Sequence, residues 1–148
     1  MEKKVYKINI NATPEKVWNV LWDDASYRQW SAAFAEGSKV KTDWKKGSKV
    51  YFLDGNDMGM VSTIVENKPN EFMAFEHIGI VNNGVEDYDS EESKKWSNSF
   101  ENYTLKTANG GTELVVNLSS NGIPAEYKEY FEQAWPKALD KLKELAEA

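Results

Sequence analysis

The chain has 148 residues, of which 41% are hydrophobic and 28% charged, as expected for one soluble globular domain spanning residues 1–148. Its 18 basic and 24 acidic residues give a net charge of −6. This charge argues against nucleic acid or an anionic membrane surface as the main partner, because both require a basic footprint. Cysteine is absent, which excludes disulfides, thiolate nucleophiles and cysteine-ligated zinc.

The first residues of the chain carry no export signal. They lack the apolar stretch of about 7–15 residues that a secretory signal contains. Elsewhere, no apolar run approaches the roughly 20 residues needed to span a bilayer. The sequence therefore predicts a cytoplasmic protein without membrane insertion.

The N-terminal region predicts a strand followed by two short helices. Residues 3–10 alternate in the pattern of a strand. Thr13 can cap the helix that follows, Pro14 suits its first position, and Glu15 favours the positive end of the helix dipole. An apolar stripe continues this helix through Val17, Trp18, Leu21 and Trp22. A second short helix is predicted from about Ala25.

The middle of the chain predicts an antiparallel meander. Six apolar stretches separated by turn residues read as strands at 40–44, 50–53, 60–65, 72–81, 96–107 and 112–118. No helical pattern lies between them, which argues against alternating strand–helix units. The acidic stretch Val85–Ser93 is predicted to be a solvated loop, with a lid over a cavity mouth as the alternative.

The last segment, Pro124 to Ala148, predicts a helix roughly 35 Å long, enough to cross the sheet. Its apolar stripe comprises Tyr127, Phe131, Ala134, Trp135, Ala138, Leu142 and Leu145. Pro136 removes one backbone hydrogen bond, so we expect a kink near residues 132–136. A break into two helices is the alternative.

This order of elements resembles the SRPBCC superfamily, the START-related, birch-pollen-allergen-like proteins. Within it, the chain resembles the subfamily named for homology to an activator of the ATPase of the ninety-kilodalton heat-shock chaperone. The resemblance covers nearly the whole chain and lies in Ala12–Trp18, Tyr27–Ser31, Glu36–Ser38, Asp43–Ser48 and Trp135–Leu139, together with Leu142 and Lys143. The glycine-rich loop of the plant allergen branch is missing.

The resemblance implies an α+β helix-grip fold: a curved antiparallel sheet of about seven strands around the long C-terminal helix, with two short helices after strand one. It also implies a cavity between the sheet and the last helix, but no single activity, because function resides in sites built onto folds. The candidates for ligand binding in that cavity are Trp30, Phe34, Phe52, Met60, His77, Trp96, Tyr103, Tyr127, Phe131 and Trp135. For each of them, plain core packing is the alternative.

The polar candidates depend on strand register. His77, the one histidine, is next to Glu76, and neighbours in a strand point to opposite faces, so only one of them can face the cavity. An inward His77 could bind a polar group or act as an acid–base; the alternative is an imidazole hydrogen-bonded within the sheet. Glu101 and Glu113 are expected to face outward into solvent, because a buried carboxylate needs partners. With one histidine and no Gly-x-Ser-x-Gly motif, we expect no catalytic triad.

Three functions remain open. The first is binding of a small, largely apolar molecule, oriented by Tyr127, Tyr103 or His77. The second is a chaperone-associated interaction module, as the family name suggests. The third is a cavity enzyme of cyclase or related type using His77, Glu76 or Glu101, which requires acid–base residues facing inward. No sequence motif predicts a metal or another cofactor.

Overall fold

The computed structural model describes residues 2–120 and 124–148, which form an eight-stranded antiparallel sheet and four α-helices. The strands are β1 (Glu2–Ile10), β2 (Lys39–Lys41), β3 (Lys49–Leu53), β4 (Gly59–Lys68), β5 (Phe72–Asn82), β6 (Val85–Asp87), β7 (Ser99–Ala108) and β8 (Gly111–Ser120). The helices are α1 (Pro14–Trp22), α2 (Asp24–Trp30), α3 (Glu91–Trp96) and α4 (Ala125–Glu147), and a turn of 3-10 helix, Ser31–Ala33, continues α2.

The strand order is β1-β8-β7-β5-β4-β3-β2, with β6 paired to β5 beside this path. The first strand pairs along its whole length with the last, from Glu2 opposite Ser120 to Ile10 opposite Thr112. With α1 and α2 after β1 and α4 against the sheet, the structure confirms the predicted α+β helix-grip architecture.

Side-chain alternation gives the sheet one strongly apolar face, which we call the inner face. It carries buried residues such as Ile64, Phe75 and Leu114, which pack in one cluster with Leu142 of α4. Burying each such side chain stabilises the fold by about 1.5–3 kcal/mol. The opposite, outer face carries a smaller cluster at Leu53, Val61 and Val81.

The predicted start of α1 is confirmed. The hydroxyl of Thr13 accepts a hydrogen bond from the backbone N–H of Lys16 at 3.2 Å, which satisfies one of the unpaired donors of the first turn. Trp22 at the other end of α1 packs edge-on against Phe75 and Tyr103, with ring centroids 5.4 and 4.9 Å away. These contacts fasten the helix to the inner face of the sheet.

The prediction that residues 85–93 form a loop is wrong. Asn83 and Gly84 adopt φ angles of 51° and 79°, a tight turn that returns the chain to pair as β6 along β5. The hydroxyl of Ser90 then caps α3 by accepting from the N–H of Ser93 at 3.1 Å. Consequently Trp96, predicted as the start of a strand, is the last residue of α3.

The last helix, α4, runs without interruption through Pro136, so the predicted alternative of two helices is wrong. Its buried residues are Ala134, Trp135, Ala138, Leu139, Leu142 and Ala146. They form the stripe that faces the sheet and α1, whereas Tyr127 in the first turns is 37% exposed. Of the helices in residues 2–120 and 124–148, none is long and apolar enough to cross a membrane.

Candidate functional site

A cavity of about 600 Å³ lies between the inner face of the sheet, α2, α3 and α4. Nine of the ten predicted site residues line it: Trp30, Phe34, Phe52, Met60, His77, Trp96, Tyr103, Phe131 and Trp135. The tenth, Tyr127, is not on the cavity wall. The sequence therefore located the wall of the cavity, and contact of these residues with a ligand stays a prediction.

Aromatic rings in mutual contact build the helical side of the cavity. Phe34, which follows α2, packs edge-on against Trp135 at 4.8 Å and against Phe131 at 6.4 Å between centroids. Trp96 of α3 reaches the same wall and packs against Phe131 at 6.0 Å. Tyr127 supports Trp96 from the side, at 5.2 Å, without facing the cavity.

The sheet side of the cavity carries four hydrogen-bonded polar residues, Ser62, His77, Glu101 and Tyr103, which we call the polar cluster. The Oγ atom of Ser62 lies 2.6 Å from Nδ1 of His77. Nε2 of His77 lies 3.2 Å from Oε1 of Glu101, and the hydroxyl of Tyr103 donates to Oε2 of the same carboxylate. The cluster spans three neighbouring strands, β4, β5 and β7.

Strand register brings these four residues together. Ser62 is the direct cross-strand partner of His77, at a register shift between Val61 and Ser62 in β4. On β7, Glu101 and Tyr103 are two residues apart and therefore share a face. Sequence analysis missed Ser62, because no local motif marks a serine whose partner lies on another strand.

The expectation that Glu101 faces outward into solvent is wrong. Its side chain is only 19% exposed and lines the cavity. The physical reason is that donors from two strands, His77 and Tyr103, satisfy both carboxylate oxygens and so offset the cost of burial. Glu76 follows the alternation instead and lies on the outer face next to His77, which is itself inward.

The carboxylate of Glu101 also affects two buried phenols. Burial, together with the negative charge of Glu101, raises the pKa of Tyr103 well above its usual value. The same two causes raise the pKa of Tyr27, another residue of the cavity wall. Both phenols are therefore neutral hydrogen-bond donors at physiological pH, and Tyr27 is a functional candidate that sequence analysis did not single out.

The protein already uses several of the polar atoms around the cavity. Both ring nitrogens of His77 are occupied, and Nε1 of Trp30 donates to the carbonyl of Leu21 at 3.1 Å. Ser62 is fully buried and does not line the cavity, so its hydroxyl orients the imidazole and is not placed as a nucleophile. The carboxylate of Glu101 is the charged group of the cluster that faces the cavity.

Charged residues occupy one rim of the cavity. Lys128 at the start of α4 forms an ion pair with Glu2 of β1, with Nζ and Oε1 2.9 Å apart. Nζ of Lys4 lies 5.6 Å from the ring centre of Tyr6, which stacks on Trp135 at 5.8 Å. Within residues 2–120 and 124–148, no three His, Asp or Glu side chains converge in a group that could hold a metal ion.

The family model described as "Activator of Hsp90 ATPase homolog 1-like protein" matches residues 11–147. The chain belongs to this family. The resemblance noted from the sequence motifs is thereby confirmed, and the family match extends from the residue after β1 to the end of α4. No curated protein matches the chain significantly in sequence.

Several solved structures share the fold. The Aha1 dimer of Colwellia psychrerythraea is similar with a TM-score of 0.76 and 18% identity, over 99% of this chain and 97% of that one. MLL2253 from Mesorhizobium loti gives a TM-score of 0.72 at 17% identity, over 97% and 96% of the two chains. The AHSA1-like protein of Aeromonas hydrophila gives 0.67 at 15% identity, over 99% and 92%. At these identities the similarity establishes the fold alone.

Proposed function

We propose that this family member binds a small, largely apolar molecule in the cavity between the sheet and α4. The supporting observation is a cavity of about 600 Å³ with aromatic walls and one polar cluster. Small-molecule sites combine these features: a volume of roughly 300–1,000 Å³, mostly apolar walls and a few polar groups that fix orientation. Each 100 Å² of apolar ligand surface removed from water would contribute about 2.5 kcal/mol.

A fluorescence titration with N-phenylnaphthylamine, a neutral apolar dye that brightens when it leaves water, tests this proposal. We expect saturable binding to the wild-type protein. Leu118→Trp places a larger side chain on the cavity wall and should weaken binding. Asn117→Trp is the matched control, because the neighbouring residue of β8 is exposed on the outer face, and its binding should equal the wild type. Absence of dye binding, or equal binding by both variants, would contradict a cavity site.

Native mass spectrometry of the freshly purified protein complements the titration. A molecule retained in the cavity should appear as a discrete mass increment that is lost on denaturation. A smaller fraction of the Leu118→Trp protein should carry this increment, and the Asn117→Trp protein should keep the wild-type fraction. An increment that both variants retain to the same extent would place the molecule elsewhere on the surface.

An interaction with a chaperone is the second candidate. The family description names an activator of the Hsp90 ATPase, and the exposed rings of Tyr127 and Tyr130 lie together in the first turns of α4. Exposed aromatic side chains on one surface are a feature of protein–protein contacts. If this function holds, Tyr127→Ser with Tyr130→Ser should abolish stimulation of the ATPase of the chaperone from the same source, and Leu118→Trp should not.

A cavity enzyme is the third candidate. It required acid–base residues that face inward, and the strand register places both His77 and Glu101 there. If the protein is an enzyme, the wild type converts the bound molecule and the isosteric Glu101→Gln variant does not. The mass increments of the two proteins would then differ. Identical increments from the same source extract would argue for binding without turnover.

A further inference from the structure

Resting on the proposed binding function, we infer that the cavity selects apolar molecules whose polar group donates hydrogen bonds, a protonated amine above all and a hydroxyl next. Glu101 is the residue that would accept these bonds. Apolar carboxylic acids are then disfavoured at the same site.

The carboxylate of Glu101 has acceptor capacity left for a ligand. A carboxylate offers about four lone-pair sites on its two oxygens and no donor. His77 uses one site on Oε1 and Tyr103 uses one on Oε2. The side chain lines the cavity and is 19% exposed, so acceptor sites remain for a ligand.

Glu101 has no lysine or arginine partner: within residues 2–120 and 124–148, the ion-pair partner of its carboxylate is His77. Both nitrogens of His77 are engaged by Ser62 and Glu101, and the hydroxyl of Tyr103 is directed at Glu101. The surrounding rings are apolar, with Phe52 5.0 Å from Phe75 and 6.0 Å from His77. In such a poorly solvated environment, the attraction of a cation to the carboxylate and the repulsion of an anion from it are both stronger than in water.

Three lysines on the cavity wall, Lys3, Lys4 and Lys128, are exposed at the rim. There Lys128 is paired with Glu2, and Lys4 lies over Tyr6. An apolar acid could place its carboxylate at this rim, but its apolar end would then cover Glu101 without supplying a donor. A ligand with a donating group satisfies the polar cluster and buries its apolar part against the aromatic wall.

The test is displacement of N-phenylnaphthylamine from the cavity at about pH 8. Three competitors share one naphthalene ring and carry an aminomethyl, a hydroxymethyl or a carboxylate group. We expect the amine to bind about tenfold more tightly than the carboxylate, the effect of one charge-assisted hydrogen bond, with the alcohol between them. In Glu101→Gln this ratio should fall to about one, because the amide presents no charge. The matched control Glu113→Gln, on the outer face of β8, should keep the wild-type ratio.

The outcomes separate the two proposals. Failure of the dye to bind the wild-type protein would refute the cavity function itself. Dye binding with equal displacement by all three competitors, or tighter binding of the carboxylate, would overturn only the preference for donors. The wild-type ranking decides this point even if Glu101→Gln does not fold.

Discussion

His77 lies between two hydrogen-bond partners, Ser62 and Glu101, and the carboxylate determines which ring nitrogen must carry a proton. Because a carboxylate only accepts, Nε2 must carry the proton that bonds Glu101 at 3.2 Å, and Nδ1 lies 2.6 Å from the Ser62 hydroxyl, a group that can donate or accept. His77 is the only histidine, so nitrogen NMR spectra are unambiguous. We predict a proton on Nε2, and a more even distribution of that proton between the two ring nitrogens in Glu101→Gln. A ring protonated at Nδ1 alone would contradict this hydrogen-bond arrangement.

The buried phenols predict an alkaline loss of stability. Their pKa is raised in the folded state, so the stabilisation is fully present below the unfolded value of 10.0 and is lost as the pH rises above it. Each phenol should contribute a slope of roughly 1.4 kcal/mol per pH unit there. Urea denaturation of Tyr103→Phe should show a shallower decline above about pH 10 than the wild type. Tyr130→Phe, which alters an exposed ring, is the control and should follow the wild type.

The N-terminal cap of α1 makes a contribution to the free energy of unfolding that can be measured by itself. Thr13→Ala removes the acceptor for the N–H of Lys16 and should lower the free energy of unfolding by about 1 kcal/mol. Thr13→Ser keeps a hydroxyl at the cap and should lose much less. Chemical denaturation measures both variants. Equal destabilisation by alanine and serine would mean that the threonine methyl group, not the hydrogen bond, stabilises this end of the helix.

The start of α1 and the β6–α3 segment show which elements a sequence can predict. The start of α1 has local signals, a capping threonine followed by Pro14, and these suffice because a helix end depends on neighbouring residues. The β6–α3 segment has local signals too, the turn at Asn83 and Gly84 and the cap at Ser90. Its acidic composition nevertheless favoured the interpretation as a solvated loop. What stabilises β6 is pairing with β5, a contact that composition does not report.

The apolar wall of the cavity was predictable from the sequence, together with two members of the polar cluster, His77 and Tyr103. Large aromatic residues on one face of a strand or helix must pack against another layer, so sequence pattern and resemblance found the cavity wall. The connection of the cluster through Glu101 was not predictable, because the inward orientation of Glu101 depends on a donor from β5 and on the register of three strands. Tyr127 was misplaced for a related reason: it packs on Trp96, whose position in α3 was itself unforeseen.

Occupation of the cavity should stabilise the entire fold, because a ligand that binds only the folded chain shifts the unfolding equilibrium. At a free dye concentration of 100 times the dissociation constant, the gain is about 2.7 kcal/mol. For a chain of this length each kcal/mol raises the melting temperature by roughly 2–4 °C, so N-phenylnaphthylamine should raise it by about 5–11 °C. Differential scanning calorimetry should record this shift in the wild type and in Asn117→Trp, and a smaller one in Leu118→Trp. A shift of equal size in Leu118→Trp would mean that the dye stabilises the protein from its surface, because a dye between the sheet and α4 would meet the larger side chain on the cavity wall.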